Sequence, residues 1–287
     1  MAINSSGVPG LSIAVVYNGT VQYSGGFGVR LIGGNDSVDA DTVFQLASVS
    51  KPICSTIVAA IVTATNLTFD TAINSPDEVA AYSDPWISDE VTIADCLSHR
   101  SGLYGLAGDD LELLGYDRST VLSKLQYMAP FGPFRASYSY SNYGITTGGT
   151  RAAIAANATW EDAAEQYLYS PLSMTSTSSR YSDFLSRTNR AGLHILSSTS
   201  SNATIASAAN TTVWTPSRAR NPDAQAPAGG VSSSVNDLAK WVQLHLSLGI
   251  PPNSSDQLIS QTALNTTRTP QIVRGINLLP TPRASTA

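Results

Sequence analysis

Between Ser48 and Thr63 the chain carries a long apolar pattern with few breakers, including Ile53, Ile57, Val58, Ile61 and Val62. A helix that is apolar on nearly all sides has to be buried, so this segment reads as a mostly buried helix around which other elements pack. Pro52 has no N–H to donate and is tolerated only in a first turn, which sets the helix start close to Ser48. A chain of 287 residues is long enough to bury such a helix, as one large domain or as two intimate lobes. Its apolar share of 42% is that of an ordinary globular protein. No run of 18 or more consecutive apolar residues occurs, and the reading is therefore of a chain that does not span a membrane.

Upstream of the helix, Leu11–Tyr17 and Val21–Phe27 read as two strands joined at Asn18-Gly19, a strong hairpin signal. A polar loop follows from Gly33 to Asp41. Beyond the helix, as far as about Pro171, the signals are helical and loop-like, with Pro/Gly punctuation at Pro130–Pro133. β-Branched, strand-like stretches return around Ala191–Ser197 and Thr211–Trp214, and a last helix, Val235–Leu248, is headed by serines able to cap it. This order of strands, helices and strands predicts a single domain over residues 1–287. An α/β lobe (about 1–60 and 185–287) is interrupted by a helical lobe (about 61–184), with the site between them.

A net charge of −5 without basic runs argues against nucleic acid or an anionic membrane surface as partner. Lysine occurs only at positions 51, 124 and 240. Nine N-x-S/T sequons begin at Asn4, Asn18, Asn35, Asn66, Asn157, Asn202, Asn210, Asn253 and Asn265. That excess points to a secreted, extracellular protein, the other reading being a Ser/Thr/Asn-biased surface without glycans. Met1 to Pro9 has neither a basic n-region nor an apolar h-region, so no signal peptide is expected within this chain. Cys54 and Cys96 are the only cysteines, and they are read as neighbours, Cys54 on the helix that starts near Ser48 and Cys96 just before a turn packed behind it. A disulfide and two inert buried thiols both remain open. Three scattered histidines form no metal-ligand pattern.

Chemistry concentrates at Ser48-Val49-Ser50-Lys51, an S-x-x-K at the head of the buried helix. At i and i+3 the hydroxyl and the ammonium share one helix face, within hydrogen-bond reach. The helix N-terminus offers N–H groups and a positive dipole to a developing oxyanion. Desolvation would favour the neutral lysine, which could then take the serine proton. Tyr140-Ser141-Asn142 is the second element: a phenol can pass a proton between nucleophile and leaving group, and an amide can hold both lysine and substrate. Each motif alone is weak, because tyrosines such as Tyr138, Tyr140 and Tyr143 can equally be packed aromatics.

Taken in order and in context, four segments resemble the serine β-lactamase and penicillin-binding-protein superfamily, in its class-C-type branch with D-aminopeptidase and carboxylesterase relatives. They are F-Q-L-A-S-V-S-K-P from Phe44, L-S-H-R-S-G-L from Leu97, Tyr140-Ser141-Asn142, and A-G-G-V-S-S-S-V-N-D-L-A from Ala228. Val8–Val16 also looks like that family's first strand. The resemblance implies an α/β (α+β) fold of the β-lactamase/transpeptidase type, an antiparallel sheet flanked by helices plus a helical lobe. It implies Ser48 as the acylated nucleophile, with half of the oxyanion hole on its N–H, and Lys51 and Tyr140 as the acid/base pair. Asn142, Gly229 and Gly230 would meet the substrate. The activity implied is that of a serine hydrolase working through an acyl-enzyme on a small ester, amide, β-lactam or D-amino-acid-type substrate, small molecule or peptide, with no cofactor and no metal. Oligomeric state is left open.

Two departures shape the expectation. No K-T-G or H-x-G triplet follows the last helix, and the family's N-terminal helix is not seen, so the fold is expected to be truncated at both ends. Without the second oxyanion donor, the rivals are an inactive fragment of the enzyme or a non-catalytic binding or scaffold relative. Gly229-Gly230-Val231 stands where class C β-lactamases have Tyr-Gly-Val, which favours esterase- or peptidase-like chemistry. His99, in L-S-H-R-S-G-L, invites a Ser-His-Asp triad, but the resemblance makes that segment the end of a structural helix. No G-x-S-x-G elbow exists to support an α/β-hydrolase.

Overall fold

The computed structural model describes residues 7–75, 78–199, 211–252 and 254–274. The hairpin is present as β1 (Gly10–Tyr17) and β2 (Thr20–Gly28), antiparallel and closed by Tyr17 opposite Thr20. Asn18 and Gly19 have φ of 48° and 74°, the left-handed pair that a two-residue type I′ turn requires. Because side chains alternate along a strand, one face carries Ile13, Val15 and Tyr17 with Tyr23 and Phe27 across from them, all exposed. The opposite face, with Ala14 and Ser24, meets the helix Val235–Leu246, where Ser24 Oγ donates to Asn236 Oδ1.

β3 (Phe44–Gln45) leads through a 3₁₀ turn, Ala47–Val49, into α1 (Ser50–Ala64). By length and composition the stretch Ala47–Ala64, of mean hydropathy 1.5, would suffice to cross a membrane. The uninterrupted-run criterion applied to the sequence had missed this. In the fold it is a core helix: Ile53, Ile57 and Ile61 are fully buried and belong to one cluster with Trp160, Leu168, Leu244 and Leu264.

The helical stretch predicted to about Pro171 contains α2 (Pro85–Glu90), α3 (Ile93–Leu97), α4 (Asp109–Leu113), α5 (Arg118–Lys124), α6 (Asn142–Ala155) and α7 (Trp160–Ala164). α8 (Tyr181–Ser186) follows. Next come β4 (Leu193–Thr199), β5 (Thr211–Ser217), α9 (Ala226–Gly229), β6 (Ser232–Ser233) and α10 (Val235–Leu246). Ser234 caps α10 by accepting from Asp237 N, as its serine run suggested. The helix is not the last, since α11 (Gln261–Thr266) follows it and packs on α1. Among the described residues the strands form three two-stranded antiparallel ladders, β1–β2, β3–β6 and β4–β5, in place of one continuous sheet. The two-residue pairing of β3 with β6 matters most, for it ties the chain before Ser48 to the chain after Gly229.

A second buried cluster, with Ile73, Val91, Leu103, Val121 and Leu125, is built mainly from the segment between α1 and α6. α6 joins the two cores, giving Tyr143 to this cluster and Ile145 and Ala152 to the first. Its consecutive glycines allow the close approach. A Cβ on Gly149 would stand 3.2 Å from Cys54 Sγ, and one on Gly148 would stand 3.0 Å from Cys96 Cβ. Neighbouring helical positions point about 100° apart, so the two cysteines touch different faces of α6 and lie in different clusters. Both are free and buried, and burial pushes the Cys54 thiol up and the Cys96 thiol to about 12. Of the two readings left open, the structure has two free buried thiols and no disulfide between them, each packed against its own face of α6.

Candidate active site

Ser48 sits in the middle of the 3₁₀ turn between β3 and α1. Two hydrogen bonds and one backbone bend aim it. Leu46 N donates to Val231 O at 2.9 Å, and Val231 N donates to Ser50 Oγ at 3.0 Å. Ala47, with φ of +46°, bends the backbone through the left-handed region just before the serine. That conformation costs an L-residue roughly 1–2 kcal/mol and persists because the flanking β3–β6 and Val231 bonds fix both sides of it.

Lys51, one turn on, is buried, and its Nζ donates to Ser48 Oγ (3.1 Å), Asn142 Oδ1 (2.7 Å) and Ala228 O (3.0 Å). Three acceptors match the three N–H donors of an ammonium. The site therefore has an acceptor for every donor of a Lys51 ammonium. Tyr140 Oη lies 2.7 Å from Ser48 Oγ, and Lys51 Nζ is 4.8 Å from the centre of its ring. Since Ser48 Oγ already accepts from Lys51, its own proton is free to point at Tyr140 Oη. The serine oxygen thus has a cation on one side and a phenol oxygen on the other.

Asn142 opens α6, whose N-cap Ser141 accepts from Gly144 N at 3.0 Å. Gly229 lines a cavity of about 190 Å³ in front of Ser48, together with Gln45, Ala47, Asn142, Arg220 and Gln225. Gly230 does not line it. It is buried as the C-cap of α9, and a Cβ there would stand 2.6 Å from Ala226 Cα. The substrate contact expected of Gly230 is therefore corrected to backbone packing.

His99 makes no triad. Its Nδ1 accepts from Ser141 N at 3.1 Å, and its ring lies 4.6 Å, centre to centre, from that of Tyr140. Burial, and to a lesser extent the charge of Lys51, pulls its pKa down to about 4. A neutral ring with Nδ1 as acceptor backs Tyr140 and the start of α6. Asp109 escaped the sequence reading although its Oδ2 accepts from Asn142 Nδ2 at 3.0 Å. The only local signal was its place after Gly108 at a helix start, which reads as ordinary first-turn chemistry.

Fold and family model together define a protein of the β-lactamase type. The chain belongs to the Beta-lactamase family, whose model matches residues 2–279. It is 26% identical over 259 residues to a penicillin-binding protein 4 of Amycolatopsis lactamdurans, covering 89% of this chain and 64% of that protein. It is 24% identical over 247 residues to an unguisins hydrolase of Aspergillus campestris, covering 82% of this chain and 43% of the relative. The chain therefore spans less than two thirds of either of these relatives. Among solved structures, an octameric penicillin-binding protein homologue from Pyrococcus abyssi superposes with a TM-score of 0.73 at 19% identity, over 92% of this chain and 56% of that one. A class C β-lactamase from Rhodobacter sphaeroides gives 0.69 at 23% identity, over 92% and 67%. At such identities the superpositions establish the fold.

Proposed function

We infer that this chain is the catalytic part of a serine hydrolase that acts through an acyl-enzyme on a small ester, amide, β-lactam or D-amino-acid-type substrate. One observation carries the reading: Ser48 Oγ is held between Lys51 Nζ at 3.1 Å and Tyr140 Oη at 2.7 Å at the edge of a cavity. The step requires Tyr140 in its ionised, phenolate form. As Ser48 attacks the carbonyl, its proton passes to the phenolate Oη, while the Lys51 ammonium stabilises the charge on both oxygens. The carbonyl oxygen becomes an oxyanion beside the helix N-terminus. When the tetrahedral species collapses, Tyr140 returns the proton to the departing alcohol or amine, leaving Ser48 acylated. Water then attacks the acyl group, gives its proton to Tyr140, and Ser48 leaves with it. Atoms and charges balance with side chains and water alone. A hydrolase and a penicillin-binding protein among the relatives favour catalysis over a binding-only role.

The test is mass spectrometry of the purified chain after exposure to a fluorophosphonate. The expected result is one adduct, on Ser48, absent in Ser48→Ala, and formed about 10²–10⁴-fold more slowly in Lys51→Ala or Tyr140→Phe. A folded wild-type chain that is not labelled, or is labelled elsewhere, would overturn the reading. The sequon excess also supports secretion and glycosylation, since Asn18, Asn35, Asn66, Asn157 and Asn265 are all exposed.

A further inference from the structure

An amide side chain has two unlike ends, and only one orientation of Asn142 suits its neighbours. With Oδ1 at 2.7 Å from Lys51 Nζ, the amide accepts from the ammonium. Reversed, its NH₂ would face the ammonium, donor against donor, and Lys51 would lose one of its three acceptors. The group that distinguishes the two orientations is Asp109, whose Oδ2 accepts from Asn142 Nδ2 at 3.0 Å. We propose that Asp109 is a positioning residue of this active site, a buried acceptor that fixes the Asn142 amide with its oxygen on Lys51. The proposal rests on the acyl-enzyme reading above.

The placement of Asp109 is specific. Gly108, at φ +91°, lets the chain pass against α6, where a Cβ would stand 2.7 Å from Tyr143 Cδ2 and from Val121 Cγ1. Any side chain at position 108 would push Asp109 away from Asn142. On the next turn of α4, buried Glu112 accepts from Arg220 Nη2 at 2.7 Å and from Gln225 Nε2, which ties the helix to the chain leading into α9. The charges around Asp109 are thus Glu112, Arg220 and Lys51. Burial raises the Asp109 pKa. The Asn142 hydrogen bond pulls it back, Glu112 raises it further, and Arg220 and Lys51 lower it, leaving a net rise. Its second oxygen, Oδ1, is buried with no hydrogen-bond partner. This environment has use for one acceptor and little need of a full negative charge, which separates two substitutions sharply.

Asp109→Asn keeps an acceptor for Asn142 Nδ2, and Asp109→Ala removes it. The experiment measures fluorophosphonate labelling and hydrolysis of a nitrophenyl ester by the wild-type chain, both variants and Ser48→Ala, with folding checked by circular dichroism. Loss of an oriented hydrogen bond is worth about tenfold. The expected result is that kcat and labelling rate fall about tenfold or more in Asp109→Ala, with KM changed less than about threefold, and are rescued to within about threefold by Asp109→Asn. If Asp109→Ala does not fold, Asp109→Ser, too short to reach the amide, carries the same comparison. A folded Asp109→Ala or Asp109→Ser that reacts as fast as wild type overturns the assignment. So does an Asp109→Asn that loses as much as either. Failure of the wild-type chain itself to label would instead strike the acyl-enzyme reading, so the two failures are distinct.

Discussion

Replacing Asp95 with alanine should loosen the framework behind Tyr140 without touching the site. Asp95 is fully buried, and its carboxylate accepts from Arg100 Nε at 2.7 Å, Arg135 Nε at 2.9 Å, Thr92 N at 3.0 Å and Thr92 Oγ1 at 2.9 Å. The two arginines begin stretches that pair with each other: Arg135 N donates to Arg100 O at 3.2 Å, and Ser139 N to His99 O at 2.9 Å. Tyr140 follows directly. Removing one partner of a buried ion pair costs about 3–5 kcal/mol. The Arg135 side chain is 40% exposed and can rehydrate, whereas that of Arg100, at 20%, is held more firmly, so the lower end, about 3 kcal/mol, applies. At roughly 2–3 °C per kcal/mol for a chain of this size, Asp95→Ala should lower Tm by about 6–9 °C in circular-dichroism melts at pH 7. The pH dependence adds a second check. Burial raises the Asp95 pKa, but the bonds from Arg135 and Thr92 outweigh it and leave it below the ordinary value of 3.8. Its contribution is therefore complete above that value and lost as pH falls through the lower, folded-state value. The gap between variant and wild type should be constant from about pH 5 to 8 and narrow below about pH 4. A Tm loss under about 2 °C, or a gap that widens in acid, would refute the reasoning.

Gly149→Ala gains about 1 kcal/mol of helix propensity, but its methyl would stand 2.8 Å from Pro227 Cβ and 3.2 Å from Trp160 Cζ3. Overpacking of about 1–3 kcal/mol should win, and a urea midpoint that rises would show that it does not. Burial pulls His99 and His245 down to about 4 from 6.5, helped by Lys51 and Arg268 respectively. The unfolded chain then binds more protons across that interval, so the urea midpoint should fall as pH drops from about 6.5 to 4. A midpoint that stays level there would contradict the burial of both rings. Secreted from a eukaryotic host, the protein should run faster on gels after glycosidase treatment, with glycans mapped among Asn18, Asn35, Asn66, Asn157 and Asn265. An unchanged mobility would favour the unglycosylated reading.

Local rules made some of this fold legible. Asn18-Gly19 specified its hairpin because only left-handed residues close a two-residue turn, and Ser48 and Lys51 were readable as neighbours because their spacing is one helical turn. Tyr140 and Asn142 had no such local logic: their chemistry was readable from residue type, but only the resemblance of whole segments tied them to Ser48. Asp109 was out of reach, since its importance comes from the passage of α4 beside the start of α6, which no spacing in the sequence encodes. The state of the cysteines was left open for a related reason. It depends on how α6 packs against each of them, although two glycines inside a helix, each costly to its propensity, were a sign that something packs tightly there. Gly230 was misread because a glycine beside a site serves equally for access and for close backbone packing. The β3–β6 ladder, two residues on each side, is too short for any periodicity to announce.

The bare face of the hairpin bears on how the protein responds to temperature. Ile13, Val15, Tyr17, Tyr23 and Phe27 are already 44–73% wetted in the folded state. Only apolar surface newly exposed on unfolding raises the heat capacity, and a chain of this length would ordinarily gain about 4 kcal/mol/K. Side chains already in water add less than their share to that increment, so the stability curve of this chain is flatter than its length implies. It loses less on cooling than a chain with the same melting point and a covered hairpin.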